Sequence, residues 1–335
     1  MADMSEAKNP PVDFVIDWVN GQDLSWQKKR SKYLVKKEDA SSVRFRDWGF
    51  LKYWFRLVEK NAPWVHKIFL ITDHQVPNFL NLDNSKIVLV NHEDYIQNKY
   101  LPVFNSNSIE IGMNKIPGLS EHFVFFNDDM FINDSVKSTD FFENGMPKDS
   151  GVMSPQFPIS NSVAHNTMNS MEIVNKYFSR NNILKKHFFK IFNWKYGKDN
   201  IRTLTTLPWK AVMGFYDNHI PISFLKSTFE DVWSKEEKLL SQNFEHRFRS
   251  KLDYSVWVMR YFQLASGKFV PRSTNFGKYY NIGKQTKQII NDIRTKKHSL
   301  IVLNDQEDIQ NFELERNNII SVFESSFPEK SSFEV

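Results

Sequence analysis

Four short apolar runs constrain the fold of this chain most strongly. Each contains three or four consecutive aliphatic or aromatic residues and is closed by polar or turn-forming residues, a pattern typical of strands buried on both faces of a sheet. Segments with helical spacing lie between them, and in residues 50–60 the apolar side chains recur at intervals of three and four. This alternation predicts an α/β fold with a mostly parallel sheet. The predicted strands are Val12–Asn20, Lys67–Thr72, Lys86–Val90 and Phe123–Phe126.

We expect one catalytic unit over residues 12–335 rather than two separable domains. Residues 12–134 carry the alternation and form the α/β core. Residues 135–207 lose clear periodicity and contain Pro147, Pro155 and Pro158, which indicates an insertion or a lid. Residues 208–335 are predicted to be mainly helical and to pack back on the sheet. Helical spacing predicts helices over residues 23–37, 50–60, 106–115, 171–190, 223–233, 255–264 and 308–323.

Composition excludes several classes of protein. The chain of 335 residues has no cysteine, which excludes a disulfide framework, a cysteine-based zinc site and a thiol nucleophile. It also lacks the glycine-rich phosphate loops, the serine-hydrolase elbow and the His-Glu-x-x-His zinc motif. No apolar run approaches the roughly 18–20 residues of a membrane-spanning helix. Residues 1–11 lack the features of a secretory signal, so we expect a cytosolic protein.

The net charge is only mildly positive, with 44 lysines and arginines against 39 acidic residues. The basic runs are short and are not interleaved with aromatic residues along a stripe, so we expect no nucleic-acid partner. If the positive charge is clustered, it favours an anionic ligand or an anionic membrane face.

Polar residues follow the predicted strands at the edge where ligands of open α/β sheets bind. These strand-end groups are Asp17 with Asn20, Thr72 with Asp73, residues 91–94 and residues 127–129.

Asp128 and Asp129 are the strand-end pair that most suggests chemistry. Adjacent carboxylates commonly hold a divalent cation against a diphosphate. Successive side chains of an extended segment point in opposite directions, so a turn is needed for both to reach one cation, or else only one is a ligand. The alternative interpretation is a solvated turn or a helix N-cap.

Two further groups are candidates for work on a phosphate. Arg44 and Arg46 face the same side if their segment is extended, and paired guanidinium groups suit a diphosphate. The alternative is a surface salt bridge with Asp47 or Glu59. Arg249 lies four residues before Asp253 at the start of a predicted aromatic helix, where a simple helical surface pair is the alternative.

His219 precedes the helix predicted to start near Ser223. A histidine at such a position suits a general base because its pKa is near neutrality. The alternative is a structural or solvated loop histidine.

A series of unusual motifs runs along nearly the whole chain. They are residues 12–21 (VDFVIDWVNG), 44–47 (RFRD), 60–65 (KNAPWV), 71–77 (ITDHQVP), 91–94 (NHED), 101–110 (LPVFNSNSIE), 117–131 (PGLSEHFVFFNDDMF), 219–221 (HIP), 248–250 (FRS) with Asp253 and Trp257, 303–305 (LND) and 327–333 (FPEKSSF). Taken together, these motifs resemble the Stealth family of sugar-phosphate transferases, which includes bacterial capsular and exopolysaccharide phosphotransferases and the catalytic part of animal GlcNAc-phosphotransferase. Residues 135–207 match this family weakly.

The resemblance implies a Rossmann-like nucleotide-sugar-binding core and a specific reaction. An acceptor sugar hydroxyl attacks the β-phosphorus of a nucleotide-diphospho-sugar, typically UDP-linked. Sugar-1-phosphate is transferred whole, a phosphodiester forms and UMP leaves, in capsule or exopolysaccharide synthesis. Catalysis of this kind rests on positioning and charge neutralisation.

The resemblance also implies roles for individual residues. Asp128 and Asp129 would carry Mg²⁺ or Mn²⁺ or orient the sugar, and His219 would be the general base. Arg249 would stabilise charge on the transferred phosphate, with Asp253 orienting it. The implied donor-binding residues are Asp13, Trp18, Asn20, Gly21, Arg44, Arg46, Asp47, Lys52, Asn107 and Asn127.

The implied partners are a UDP-hexose or UDP-N-acetylhexosamine donor and an oligosaccharide or lipid-linked glycan acceptor. The expected location is the cytoplasm, either free or peripheral to the inner face of the cell membrane. Two alternatives stay open at this point. One is a metal-dependent glycosyltransferase that releases UDP, and the other is a non-catalytic glycan-binding protein of capsule assembly.

Overall fold

The computed structural model describes residues 10–34, 45–158, 164–306 and 308–335. Its strands are β1 Val12–Asp17, β2 Ile68–Thr72, β3 Ile87–Asn91, β4 His122–Phe126, β5 Met130–Ile132, β6 Phe142–Glu143, β7 Met146–Asp149, β8 Ile222–Leu225, β9 Val270–Pro271, β10 Gly277–Asn281 and β11 Leu300–Asn304. Its α-helices are α1 Leu24–Ser31, α2 Leu51–Asn61, α3 Ser106–Ile111, α4 Ala164–Tyr177, α5 Arg180–Ile191, α6 Asn200–Thr206, α7 Lys226–Leu240, α8 Trp257–Ala265, α9 Thr286–Thr295 and α10 Phe312–Ser326.

A five-stranded sheet in the order β3-β2-β1-β4-β8 forms the centre of the fold. Strands β1 to β4 are parallel and β8 runs antiparallel to β4. The central strand β1 pairs with both neighbours, so that Ile16 lies opposite Leu70 on β2 and Phe126 on β4. The predicted α/β fold with a mostly parallel sheet is therefore confirmed.

Helices cover both faces of this sheet because its central strands are apolar on both sides. Phe14 and Ile16 point to a core shared with α2, α9 and α10, and Val15 points to a core shared with α3, α7 and α8. All three side chains are fully buried, and burial of each contributes roughly 1.5–3 kcal/mol.

Two smaller sheets complete the fold, in the orders β10-β11-β5 and β6-β7-β9. Helices α4 and α5 pack on α8 through a third apolar cluster that includes Met171, Val174, Ile183 and Leu264. Among the described residues, no helix combines the length and the apolar character needed to cross a membrane.

The second half of the chain contains more strands than we predicted. The helix predicted over residues 223–233 is a strand as far as Leu225, and α7 begins only at Lys226. Residues 208–335, predicted to be mainly helical, also contain β9, β10 and β11. A four- or five-residue apolar run has no period of its own that separates strand from helix, and here pairing with β4 and β5 decides in favour of strands.

The strand order places a topological switch beside β1. The chain moves outward from β1 to β2 and β3 and then returns to add β4 on the other side of β1. The loops that leave β1 and β4 therefore diverge, and a crevice opens between them at the carboxyl ends of the strands.

Candidate active site

Two adjoining cavities occupy this crevice. The first, which we name the apolar cavity, has ≈ 940 Å³ of empty space that includes open solvent, and the second, the polar cleft, has ≈ 2150 Å³. Trp18, Asn127, Asp128 and Arg249 line both. Trp18 follows β1 and residues 127–128 follow β4. Of the strand-end residues predicted from the sequence, Asn127 and Asp128 lie at the junction, Asp17, Asp73 and His92 line the apolar cavity alone, and Asp129 lines the polar cleft alone.

Aromatic side chains form much of the apolar cavity. Trp26 lies 5.1 Å from Phe45 and 5.6 Å from Phe104 between ring centroids, and Phe104 stacks on Phe248 at 5.4 Å. All four residues line the cavity. Gly21 permits this wall to form, since a Cβ at Gly21 would stand 1.8 Å from the carbonyl oxygen of Phe45. A planar aromatic group fits between walls of this kind.

Asn20 lies in the turn that leads from β1 to this wall. Its backbone N–H donates to Gln75 Oε1 at 2.9 Å, and its carbonyl accepts from Gln75 Nε2 at 3.0 Å. Asn20 and Gly21 therefore shape the edge of the apolar cavity without lining it.

Five carboxylates line the polar cleft: Asp47, Asp128, Asp129, Asp217 and Asp305. The Asp128 side chain faces the open cleft, so solvent reaches one side of it. Burial on its other sides, followed by repulsion from Asp129 and Asp47, raises the pKa of Asp128 to about 8. Burial also raises the pKa of Asp47 and that of Asp305. The carboxylates of the cleft therefore repel one another when they are ionised, and a cation bound between them would relieve that repulsion.

The donor set fits a divalent cation. Asp129 Oδ1 is buried and accepts no hydrogen bond. Both carboxylate oxygens of Asp305 are also buried, and Arg46 Nε lies 3.5 Å from Asp305 Oδ2. Within the described parts of the chain, no three acidic or histidine side chains already form a set of metal ligands. Magnesium sites commonly take one or two carboxylates and complete their coordination with water and substrate oxygens.

His219 lies opposite this acidic group. Its Nε2 is 3.8 Å from Asp129 Oδ2, and its ring packs edge-on against Tyr279. Its backbone has a left-handed φ of 47° and its N–H donates to Asp217 Oδ1 at 2.7 Å. Burial alone would lower the pKa of His219, but Asp129, with Asp217 and Glu110, outweighs burial and raises the pKa to about 9.

Arg249 reaches the junction from a loop between two helices. Its Nη2 donates to Ser106 Oγ at 2.6 Å. The loop is held by the fully buried Asp253, whose carboxylate accepts from the Ser250 N–H at 2.8 Å, from His246 Nδ1 at 2.7 Å and from Asn105 Nδ2 at 2.9 Å. The alternative of a helical surface pair is wrong, because Arg249 and Asp253 precede α8, and Asp253 is buried.

Of the other predicted donor-binding residues, some line the polar cleft and some do not. Arg46 and Asp47 line the polar cleft. Asn107 lies outside both linings, and its Nδ2 donates to Asp253 Oδ2 at 3.2 Å. Lys52 Nζ lies 3.6 Å from a carboxylate oxygen of Glu324, away from the cleft. Arg44 lies outside the described residues.

Asp13 lies at the wrong end of its strand for a role in donor binding. It is near the start of β1, whereas the cavities adjoin the end of β1. Its fully buried carboxylate accepts from His66 Nδ1 at 2.8 Å and from the backbone N–H groups of Lys67 and Ser120. Asp13 therefore ties loops together at the amino end of the sheet.

Sequence reasoning placed Asp17 at the strand edge without giving it a role, and it did not single out the acidic residues Glu110, Asp217 and Asp305. Burial raises the pKa of Glu110 on α3, whose carboxyl interacts with Arg249 and His219. Burial, with Glu110 and Asp128, raises the pKa of Asp17 well above its usual range. Asp217 and Asp305 line the polar cleft. The strand-end position of Asp17 was a signal for the site, and Glu110 and Asp305 each end a motif that carries the family resemblance, but nothing in the local sequence distinguishes Asp217.

Comparison with known proteins agrees with this geometry. Residues 10–37 match the model of Stealth protein conserved region 1, and residues 44–149 match that of conserved region 2. The chain is 48% identical to a capsular polysaccharide phosphotransferase WcwK of Streptococcus pneumoniae over 96% of this chain and 98% of that protein. The chain belongs to the Stealth family.

Other members of the Stealth family align over similar lengths. The exopolysaccharide phosphotransferase cps2G of Lactiplantibacillus plantarum is 44% identical and covers 96% of each chain. The receptor polysaccharide phosphotransferase WefC of Streptococcus oralis is 41% identical over 97% of this chain and 99% of its own. A solved structure of the galactosyltransferase LgtC is 10% identical with a TM-score of 0.40, over 92% of this chain and 95% of that one, and a similarity at this level establishes no activity.

Membership in the Stealth family confirms the resemblance that we predicted from the sequence. The relatives are named as polysaccharide phosphotransferases, which agrees with our prediction of an enzyme that transfers phosphorus-containing groups.

Proposed function

We propose that this Stealth protein is a polysaccharide phosphotransferase that uses a UDP-sugar. The acceptor hydroxyl oxygen forms a bond to the β-phosphorus, the bond between that phosphorus and the bridging oxygen breaks, and UMP leaves with the bridging oxygen. The products are UMP and a glycan that carries the sugar through a phosphodiester. The acceptor is an oligosaccharide or a lipid-linked glycan, met in the cytoplasm or at the inner face of the membrane.

One observation carries the proposal. Asp128, Asp129, His219 and Arg249 come from distant parts of the chain and all line the polar cleft. This set supplies what phosphoryl transfer needs, namely a cation-binding carboxylate pair, a proton acceptor and a positive charge for the phosphoryl oxygens.

The two cavities suit the two parts of the donor. The aromatic walls of the apolar cavity would hold the base of the nucleotide, with Trp18 at the junction. Arg46 and Arg249, which line the polar cleft, would bind the diphosphate, because a guanidinium offers paired donors to phosphate oxygens. The sugar and the acceptor would then occupy the polar cleft.

Asp128 and Asp129 would hold Mg²⁺ or Mn²⁺ when the donor is bound. The cation would neutralise charge on the diphosphate and on the leaving group. It would also offset the negative charge that raises the pKa of His219 to about 9, so that more of the imidazole is free to accept a proton at neutral pH.

His219 would take the proton of the acceptor hydroxyl. The imidazole of His219 lies in the cleft beside Tyr279. The hydrogen bond from the backbone N–H of His219 to Asp217 Oδ1 fixes the backbone at this position. Geometry and not the pKa alone supports this role, since a general base must first reach the proton that it removes.

The deciding experiment is identification of the nucleotide released from a panel of UDP-sugars with Mg²⁺ and a capsular oligosaccharide. We expect UMP, and we expect Asp128→Asn to lower the rate by at least about a hundredfold. Asp134→Asn is the matched control, because Asp134 carries an exposed ion pair with Lys296 and lines neither cavity.

Each other result contradicts a defined part of the proposal. Release of UDP would make the protein a glycosyltransferase. Binding of the glycan with no nucleotide released would make it a glycan-binding protein. An Asp128→Asn variant as active as the Asp134→Asn control would remove Asp128 from the reaction.

A further inference from the structure

The positive charge of the chain is concentrated in one segment. Residues 180–210 contain eight of the 44 lysines and arginines but only one of the 39 acidic residues. This segment therefore carries a formal charge of +7, whereas the remainder of the chain is at −2. The net charge is mild over the whole sequence, but the positive charge of residues 180–210 is a strong local feature.

The same segment also exposes large apolar side chains. Phe189 and Trp194 are 81% and 83% exposed, and Trp209 is 56% exposed. Residues 180–210 hold six of the 16 exposed large hydrophobic residues in the described chain, namely Phe188, Phe189, Trp194, Ile201, Leu204 and Trp209. Exposed apolar side chains that are this closely grouped indicate a surface that contacts another protein or a membrane.

Hydrogen bonds tie the parts of this segment together. Asn193 Nδ2 donates to the carbonyl of Phe189 at 2.8 Å, which holds α5 against the turn that carries Trp194. Asn200 Nδ2 donates to the carbonyl of Asn193 at 2.8 Å and thereby joins α6 to that turn. Arg180 Nε donates to the carbonyl of Trp209 at 2.9 Å. We name the exposed side chains of residues 180–210 together the basic apolar surface.

The basic apolar surface adjoins the polar cleft. Asp199, which lies within residues 180–210, accepts a hydrogen bond from Thr274 Oγ1 at 2.8 Å. Arg202 on α6 lies 4.5 Å from the centroid of the Tyr216 ring. Thr274 and Tyr216 both line the cleft, so whatever contacts the surface lies next to the opening through which an acceptor would enter.

We propose that the basic apolar surface docks the protein on a bilayer that contains anionic lipids. Exposed aromatic and aliphatic side chains enter the boundary between headgroups and acyl chains. Lysines beside them meet the lipid phosphates, which attract basic groups near an anionic leaflet. A purely carbohydrate ligand would account for the tryptophans but not for the exposed Phe189, Ile201 and Leu204.

This docking goes beyond the proposed reaction and does not depend on it. It places the polar cleft at the lipid surface, where a lipid-linked glycan would be reached without leaving the bilayer. Vesicle binding is measured without donor or acceptor, so its failure would leave the proposed reaction untouched.

The test is sedimentation of the full chain with vesicles of phosphatidylcholine, alone or mixed with phosphatidylglycerol. We expect binding only to the mixed vesicles, with loss at high salt. Each lysine near an anionic surface strengthens binding about fivefold, so replacing four should weaken it by more than about a hundredfold. The variant replaces the exposed Lys185, Lys186, Lys198 and Lys210 with Gln.

A second variant tests the apolar part of the surface. Phe189→Ser with Trp194→Ser should weaken vesicle binding at least about tenfold, because two large apolar groups no longer enter the bilayer. Its matched control is Leu24→Ser with Leu314→Ser, two exposed leucines elsewhere. The control for charge replaces the exposed Lys28, Lys238, Lys287 and Lys297 with Gln.

Three results would overturn the proposal. In the first, the wild-type protein stays in the supernatant with mixed vesicles. In the second, the control variants lose as much binding as the surface variants. In the third, light scattering shows that the surface joins copies of the chain while no vesicles are bound, which would make it a protein interface. Thermal unfolding of each variant near the wild-type temperature confirms that loss of binding is not loss of fold.

Discussion

His219→Asn is the substitution that tests the candidate active site most directly. His219 has a φ of 47°, and asparagine adopts left-handed backbone conformations more readily than alanine does. The N–H that donates to Asp217 Oδ1 is retained in any non-proline variant. Asparagine therefore removes the imidazole while it preserves the local backbone.

The expected loss of rate follows from the role of a general base. Such a base contributes roughly 10²–10⁴ in rate, which corresponds to about 2.7–5.4 kcal/mol of transition-state stabilisation. A histidine with a pKa of about 9 is about 99% protonated at pH 7. The wild-type rate should therefore rise with pH below 9, and a cation near Asp129 should move that rise to lower pH.

The assay is release of UMP from a UDP-sugar at saturating acceptor, measured from neutral to alkaline pH. We expect His219→Asn to lower the rate by roughly 10²–10⁴. We also expect the rate of this variant not to show the rise with pH that the imidazole causes in the wild type. Donor affinity by calorimetry should change little, because His219 would act on the acceptor. This combination separates removal of a base from a general disturbance of the site.

His74 supplies a matched control for the same substitution. It also has a left-handed φ, of 58°, and its exposed imidazole pairs with Glu93 at 2.8 Å outside both cavities. His74→Asn should cost no more than about 1 kcal/mol of stability and leave the rate unchanged. A His219→Asn enzyme within a few-fold of this control, with its pH profile intact, would refute the reasoning.

Three further predictions concern charge and stability. In cation-free protein, Asp129→Asn should lower the pKa of His219 from about 9 toward its usual value. NMR titration of the imidazole measures this pKa, and an unchanged value would mean that Asp129 does not raise it. Asp13→Asn should cost about 1–3 kcal/mol in chemical denaturation because a buried acceptor is weakened, while donor affinity stays constant; weaker donor binding would restore Asp13 to the site. Glu334 and Arg56 form a largely buried ion pair, with 2.7 Å between Oε2 and Nη2. Glu334→Gln removes the charge of one partner and should lower the free energy of unfolding by about 3–5 kcal/mol at pH 7. Burial would raise the pKa of Glu334, but Arg56 holds that pKa below its usual value. The unfolding difference between wild type and Glu334→Gln should therefore shrink as pH falls below the normal glutamate range, and a constant difference would contradict this.

Much of the central sheet could be predicted because its strands β1, β2 and β4 are buried on both faces. Residues 68–71 and 123–126 form uninterrupted apolar runs, and their order with intervening helices leaves few topologies. Strand β8 could not be predicted in the same way, since residues 222–225 are followed at once by a helix. Only its pairing with β4, which joins residues about a hundred positions apart, makes it a strand.

The site was predictable where it follows the carboxyl ends of strands. Asp17 and residues 127–129 were expected at that edge, and they line the cavities. Asp13 shows the limit of a match made by motif alone, because it lies four residues before Asp17, or about 13 Å along an extended strand. The rule that ligands bind at carboxyl ends would have placed Asp13 away from the donor.

Asn107 and Asp253 show a different limit. The resemblance assigned Asn107 to donor binding and gave Asp253 the task of orienting Arg249, and neither residue lines the apolar cavity or the polar cleft. They are hydrogen-bonded to each other at 3.2 Å, and Asp253 also accepts from the N–H of Ser250, next to Arg249. Their effect on the reaction would pass through the loop that carries Phe248 and Arg249 into the crevice. A motif thus identifies which loops build a site, but only the packed structure distinguishes a residue that touches the substrate from one that holds the loop in place.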